Sequence, residues 1–162
     1  MDMSYVLTNE YYRDKPLAFA PGLFQDKVIL ISGGGTGIGK AAAWQAARLG
    51  AKVIICQRNE DYLTSVAGAI REAGLACRHV KLNIRDTDAV NALIDDIYAV
   101  EGKLDQQMNS AGGQFISPAA DYTPNGWRAV VDTNLNGTFS MMQAAAKKWL
   151  QADTRGSIVN VT

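Results

Sequence analysis

Hydrophobic and polar positions follow two different rhythms along this chain. Val28-Ile29-Leu30-Ile31 is an unbroken apolar run rich in β-branched residues, the mark of a strand covered on both faces. Short runs at Lys52–Cys56, Arg78–Leu82, Asp105–Asn109 and Ser157–Val161 predict further strands. Between the runs the spacing changes to the helical period, predicting helices over Ile38–Leu49, Glu60–Ala73, Thr87–Val100 and Pro124–Leu150. In the third of these, Val90, Leu93, Ile94 and Ile97 form an i, i+3, i+4, i+7 stripe. Gly50 and Gly74 stand just past the first two helices, where a C′ glycine is expected. Repeated β-α units with short connections predict an α/β fold: a doubly wound parallel sheet of the Rossmann kind, with helices on both faces. Strand two is expected between strands one and three. Cys56 then ends one strand and Cys77 opens the next, at opposite edges of the sheet, which argues against a disulfide.

This pattern assigns residues 27–162 to one dinucleotide-binding domain and residues 1–26 to an extension ahead of it. Pro16, Pro21 and Gly22 break any long helix in the extension. Leu17-Ala18-Phe19 and Leu23-Phe24 are expected to pack on the domain surface.

Chemistry concentrates where the first strand ends. Ser32 closes the strand, and Gly33, Gly34, Gly35, Thr36, Gly37, Ile38 and Gly39 lead into a helix beginning near Lys40. A strand, a glycine turn and a helix make a phosphate site. The glycines let backbone approach the ligand, and the helix N-terminus offers free N–H groups and the positive end of its dipole. The dinucleotide pattern G-x-G-x-x-G fails here, because it would place Gly where Ile38 stands. The P-loop pattern nearly fits from Gly34 to Lys40, but Ala41 replaces the hydroxyl that would hold magnesium.

A third pattern, G-x-x-x-G-x-G, is met by Gly33, Gly37 and Gly39. It resembles the cofactor loop of the short-chain dehydrogenase/reductase family, with Ser32 where that family usually has Thr. Asn109-Ser110-Ala111-Gly112 resembles the family's N-N-A-G motif. Asn83-Ile84 stands where the family often has Asp-Val beside the adenine, and Asn134 matches the Asn of the family's long helix. The resemblance implies cofactor contacts from Gly33, Gly35, Thr36, Gly37, Ile38, Gly39, Asn83, Ile84, Asn109, Ala111 and Gly112. It implies a catalytic role for Asn134, keeping a water in the proton relay. Tyr11 and Lys15 reproduce the family's Y-x-x-x-K spacing. They are read as a coincidence, because the working pair belongs on a helix beyond the fifth strand.

The end of the second strand bears on cofactor choice. An NAD site carries an acid there for the ribose hydroxyls, and an NADP site carries Arg for the 2′-phosphate. Here Gln57 holds the place of the acid and Arg58 follows. Arg is always charged and makes forked contacts with phosphate, so NADP is the expected cofactor.

The stretch Ala111–Pro118, together with Ala20–Phe24 and Asn83-Ile84-Arg85, resembles peroxisomal-type trans-2-enoyl-CoA reductases. It is also similar to 2,4-dienoyl-CoA reductases and to bacterial citronellol/citronellal dehydrogenases. The activity implied is NADPH-dependent reduction of a 2-enoyl-CoA thioester. An alcohol, aldehyde or ketone dehydrogenase on the same scaffold stays open, as does a nucleotide-binding module without chemistry. The chain ends at Thr162, ahead of the family's catalytic Ser and Y-x-x-x-K. It is therefore expected to be a sheet truncated after the fifth strand, inactive alone, with an apolar edge at Ile158, Val159 and Val161. Gln106 and Gln107 depart from the pattern too, standing in the fourth strand where aliphatic residues are expected.

Bulk properties narrow the classes. The chain has 162 residues, 48% hydrophobic and 20% charged, ordinary for one domain with a real core. Sixteen basic residues balance sixteen acidic ones, so no nucleic-acid footprint is expected. No apolar run approaches bilayer length, so no membrane partner is expected. The N-terminus is polar with an early acid, unlike a secretory signal. A cytoplasmic protein is expected, with a peroxisomal location open if the source is eukaryotic; the resemblance implies a small-molecule substrate, an acyl-CoA. The resemblance implies a homo-oligomer for the intact enzyme.

Overall fold

The computed structural model describes residues 7–162. A short helix, α1 (Asn9–Asp14), precedes β1 (Val28–Ser32), α2 (Gly37–Arg48), β2 (Lys52–Gln57), α3 (Glu60–Glu72), β3 (Cys77–Lys81), α4 (Thr87–Glu101) and β4 (Gln106–Asn109). Then come α5 (Pro124–Val131), α6 (Thr138–Gln151) and β5 (Ser157–Asn160). The strands form one sheet in the order β3-β2-β1-β4-β5, and every pairing is parallel. The doubly wound α/β sheet predicted from the sequence is therefore present, with strand two between one and three.

Each face of the sheet carries its own core. Val28, Leu30, Ile54 and Cys56 point toward α4 and α6, where they meet Val90, Leu93, Ile94, Ile97, Met141 and Trp149. Ile29, Ile31, Val53 and Ile55 point the other way, onto Ala43, Trp44, Leu63, Val66 and Ile70 of α2 and α3. Alternate residues of one strand thus serve opposite cores, which is why β1 reads as continuously apolar. Cys56 and Cys77 fall in different cores and are free and buried. Burial in apolar surroundings pushes both thiols up to about 12.

The helix starts are capped locally. Asn59, Asp86 and Thr123 accept N–H groups from the first turns of α3, α4 and α5, replacing bonds those amides lack inside the helix. Gly50 and Gly74 both take positive φ past their helices, at 101° and 77°, as expected. Helix α2 differs: Thr36 precedes it without a side-chain cap.

Two expectations need correction, and the extension adds an element that the sequence did not mark. The helix predicted over Pro124–Leu150 is interrupted by a π-helical turn, Asp132–Gly137. A wider turn of this kind shifts the hydrogen-bond pattern and is frequent at functional sites. The extension also contains α1, which docks on α2. The Trp44 indole donates to the Asn9 side chain at 3.2 Å, and Arg48 donates to the Tyr12 carbonyl at 2.8 Å. Finally, of the apolar residues expected to pack from the extension, Phe24 joins the α2–α3 core, while Phe19 and Leu23 stay exposed.

The two glutamines of β4 behave differently. Gln107 is 1% exposed and donates to Asn109 Oδ1 at 2.9 Å, and Asn109 donates in turn to Asn160 Oδ1 at 2.9 Å. An amide ladder thus crosses from the buried Gln107 and Asn109 of β4 to the exposed Asn160 of β5. The Gln107 Oε1 atom has no protein partner, a cost of about 1–3 kcal/mol for a desolvated acceptor. Gln106 lies on the opposite face and is half-buried.

Candidate functional site

A cleft of about 710 Å³ opens at the C-terminal ends of the strands. This is where doubly wound sheets bind ligands, at the switch point between their halves. Here the order turns at β1, whose neighbours are β2 on one side and β4 on the other.

The floor of the cleft is the loop between β1 and α2. Gly33 takes φ +75° and donates its N–H to the Cys56 carbonyl at 2.7 Å. A Cβ on Gly33 would stand 2.7 Å from the backbone of Ser110 and Ala111, so the loop lies directly against the end of β4. Gly39, in the first turn of α2, sits so close to Gly33 that a Cβ there would strike the Gly33 carbonyl. Both positions therefore require glycine. The result is that the first turn of α2 faces the cleft with no side chain capping its N–H groups. Such a terminus suits a pyrophosphate, so the residues fit a dinucleotide.

The remaining predicted residues divide clearly. Gly33, Thr36, Gly37, Ile38, Arg58, Asn83, Ile84, Ala111 and Gly112 line the cleft together. Gly35, Gly39 and Asn109 do not. Gly35 lies beneath the Gln57 side chain, Gly39 is packed under the loop, and Asn109 is held in the amide ladder. Their part is to shape the floor. Asn134 sits in the π turn, behind Gly112. Its Oδ1 accepts from the Gly113 N–H at 2.9 Å and its Nδ2 donates to the Gly113 carbonyl at 3.0 Å. The side-chain amide is thus engaged at both ends with one residue of backbone.

Gln57, Asn59, Tyr62, Leu82, Ser110, Thr133 and Val161 also line the cleft. Gln57 is the most informative of these. Its Oε1 accepts from Gly35 N–H at 3.0 Å and its Nε2 donates to the Asn59 carbonyl at 3.1 Å. One side chain thus ties the glycine loop to the turn carrying Arg58. No spacing rule exposes such a tie, because it depends on a side chain folding back across two strand ends. Tyr62 had a legible signal: it lies one helical turn beyond Arg58 and presents an exposed ring.

Tyr11 and Lys15 lie elsewhere. They contact each other on α1, and neither lines the cleft. Among the described residues no His/Cys/Asp/Glu group could hold a metal ion, and no helix is long and apolar enough to cross a membrane.

Comparison with known proteins agrees with this geometry. Residues 27–162 match the short chain dehydrogenase family. A probable 2,4-dienoyl-CoA reductase of Bacillus subtilis is 38% identical over 139 residues, covering 85% of this chain and 54% of that protein. A 3beta-hydroxysteroid dehydrogenase of Mediterraneibacter gnavus is 37% identical over 145 residues, covering 89% of this chain and 52% of the relative. Among solved structures, the citronellol catabolism dehydrogenase of Pseudomonas aeruginosa superposes with a TM-score of 0.81 at 36% identity. That match covers 88% of this chain and 58% of the other. The chain thus spans about half the length of the curated relatives it matches. On its glycine loop, its parallel sheet and this match over residues 27–162, the chain belongs to the short chain dehydrogenase family.

Proposed function

We propose that this chain forms the cofactor-binding half of an NADP-dependent oxidoreductase whose whole protein reduces a 2-enoyl-CoA thioester. One observation carries the cofactor assignment. Arg58 is the single charged side chain among the described residues lining the cleft, and Gln57 holds the position of a ribose-binding acid. A cationic, acid-free ribose end favours a 2′-phosphate.

The strand order distributes the work. The first-turn N–H groups of α2 that face the cleft, at Gly37 and Ile38, bind the pyrophosphate at the centre of the sheet. Arg58, at the end of β2, binds the 2′-phosphate. Asn83 and Ile84, after β3, take the adenine. Ala111 and Gly112, after β4, line the nicotinamide side. The bound cofactor supplies hydride. Asn134 fixes the Gly113 backbone through both ends of its amide, so a water of the proton relay is held by its main chain in the π turn.

The substrate assignment is supported by the dienoyl-CoA reductase relative and by the loop from Gly112 to Pro118. Beyond the cleft-lining Gly112, that loop presents Phe115, 41% exposed, and Ile116, 89% exposed, an apolar surface suited to an acyl chain. A second reading, an alcohol or ketone dehydrogenase, is favoured by the steroid and citronellol relatives. Turnover of the full-length protein with NADPH against enoyl-CoA esters, ketosteroids and terpenoid aldehydes decides between them. Oxidation of NADPH with enoyl-CoA alone is expected; turnover of carbonyl compounds without enoyl-CoA overturns the thioester assignment. Tyr11→Phe is expected to leave the rate unchanged.

A further inference from the structure

The π turn Asp132–Gly137 touches both walls of the cleft. Toward β4, Asn134 grips Gly113. Toward β3, two contacts reach the loop that carries Asn83 and Ile84. A Cβ built on Gly137 would stand 2.7 Å from Ile84 Cγ1 and 3.1 Å from the Ile84 carbonyl. Asp132 pairs with Arg85 at 3.6 Å, and Asn136 donates to Asp132 at 3.0 Å. Ile84 is 4% exposed and belongs to the α4–α6 core, so it cannot swing away freely. Backbone of the β3–α4 loop is therefore seated against the one residue of the π turn that has no side chain.

From this packing we infer that Gly137 is a positioning residue for the adenine end of the cofactor: it sets the depth of Ile84, and so the place of the cleft wall formed by Asn83 and Ile84. The inference rests on the dinucleotide reading of the cleft. Gly137 itself is buried and does not line the cleft, so it acts through Ile84. Adding a methyl group there pushes the loop outward, because the neighbour on the far side is close-packed core. The glycine floor and the Gly113 side are anchored by other contacts, namely Gln57 to Gly35 and Asn134 to Gly113, and stay in place.

The test uses the two halves of the cofactor as separate probes on the full-length protein. In Gly137→Ala, affinity for 2′,5′-ADP is expected to fall about tenfold or more, while affinity for reduced nicotinamide mononucleotide holds. Removing the opposing γ- and δ-carbons, in Ile84→Ala with Gly137→Ala, is expected to restore 2′,5′-ADP binding to within about threefold of Ile84→Ala alone, the coupling expected of residues in contact. Equal loss for both probes means general damage and overturns the inference. So does unchanged 2′,5′-ADP binding, or a double variant no better than Gly137→Ala. If Gly137→Ala alone does not fold, the double variant must fold and bind, and its failure overturns the inference as well. A parent protein that binds 5′-AMP but not 2′,5′-ADP refutes the NADP assignment instead, and the same variants are then read with 5′-AMP.

Discussion

At the residue scale, Arg58 carries the proposed choice of cofactor. It follows the last residue of β2, and no carboxylate lines the cleft around it among the described residues. A charge-assisted, forked contact to the 2′-phosphate is worth about 1.5–3 kcal/mol. Arg58→Ala should therefore weaken NADPH by about 10- to 150-fold and leave NADH nearly unchanged. Equal affinities for the two cofactors in the parent protein, by fluorescence titration, would sink the assignment. Arg58 was readable because its position after β2 is fixed by strand length and by distance from the glycine loop. The Gln57 bridge beside it was hidden, since the same amide at that position reads equally well as a solvated loop side chain.

Helices and strands were legible in proportion to how far one period governs them. The strands and the helices α2, α3 and α4 lie within a residue or two of the predicted bounds, because cores on both sheet faces enforce the pattern. The segment after Thr123 was less legible. Its apolar positions continue across Asp132–Gly137, so nothing in the spacing marks the change from α to π winding. Mid-helix Asn134 and Gly137 were hints, each poor in helix propensity, and each proves to face a neighbouring loop. The Asn134 clamp gives an element-scale prediction. Asn134→Ala removes an acceptor and a donor from Gly113 and, at an exposed site, should cost about 0.5–1.5 kcal/mol in stability, with a drop in kcat of the full-length enzyme. Asn134→Asp keeps the acceptor for the Gly113 N–H but turns a carboxylate oxygen toward the Gly113 carbonyl, so it should lose stability too. Identical unfolding midpoints for all three proteins would show that the clamp is idle.

For the whole molecule, the end of the sheet opposite the cleft sets the response to acid. Asp105 accepts the Val28 N–H at 2.9 Å and pairs with Lys103 at 3.1 Å and Lys27 at 3.4 Å. Partial burial works to raise its carboxyl, but the Val28 N–H, Lys103 and Lys27 together outweigh it and hold the group below the usual carboxylate range. A carboxylate depressed on folding adds stability above its unfolded value, about 3.9, and loses it as pH falls through the folded value. Asp105→Asn should thus be less stable than the parent near pH 6, and the gap should narrow as pH falls below about 3.9 and through the lower folded value. A gap that is constant with pH, measured by urea unfolding, would rule out the ionised group as its source.

The position of β1 also has a consequence in time. It sits at the centre of the sheet, but its partners lie at very different distances along the chain: Ile29 pairs with Val53 on one side and with Gln106 on the other. During synthesis β2 and β3 emerge first, and the adenine-side half with α2 and α3 is able to close before β4 exists. At about 5–20 residues per second, the wait for β4 lasts on the order of several seconds. Through that interval one edge of Ile29-Leu30-Ile31 is open to whatever strand is nearby. Pulse-labelling hydrogen exchange on ribosome-bound or refolding chains should show β2 and β3 amides protected before those of β4. Simultaneous protection would mean that the sheet closes in one step, and the nascent chain would then have no such window in which a chaperone or another chain could capture it.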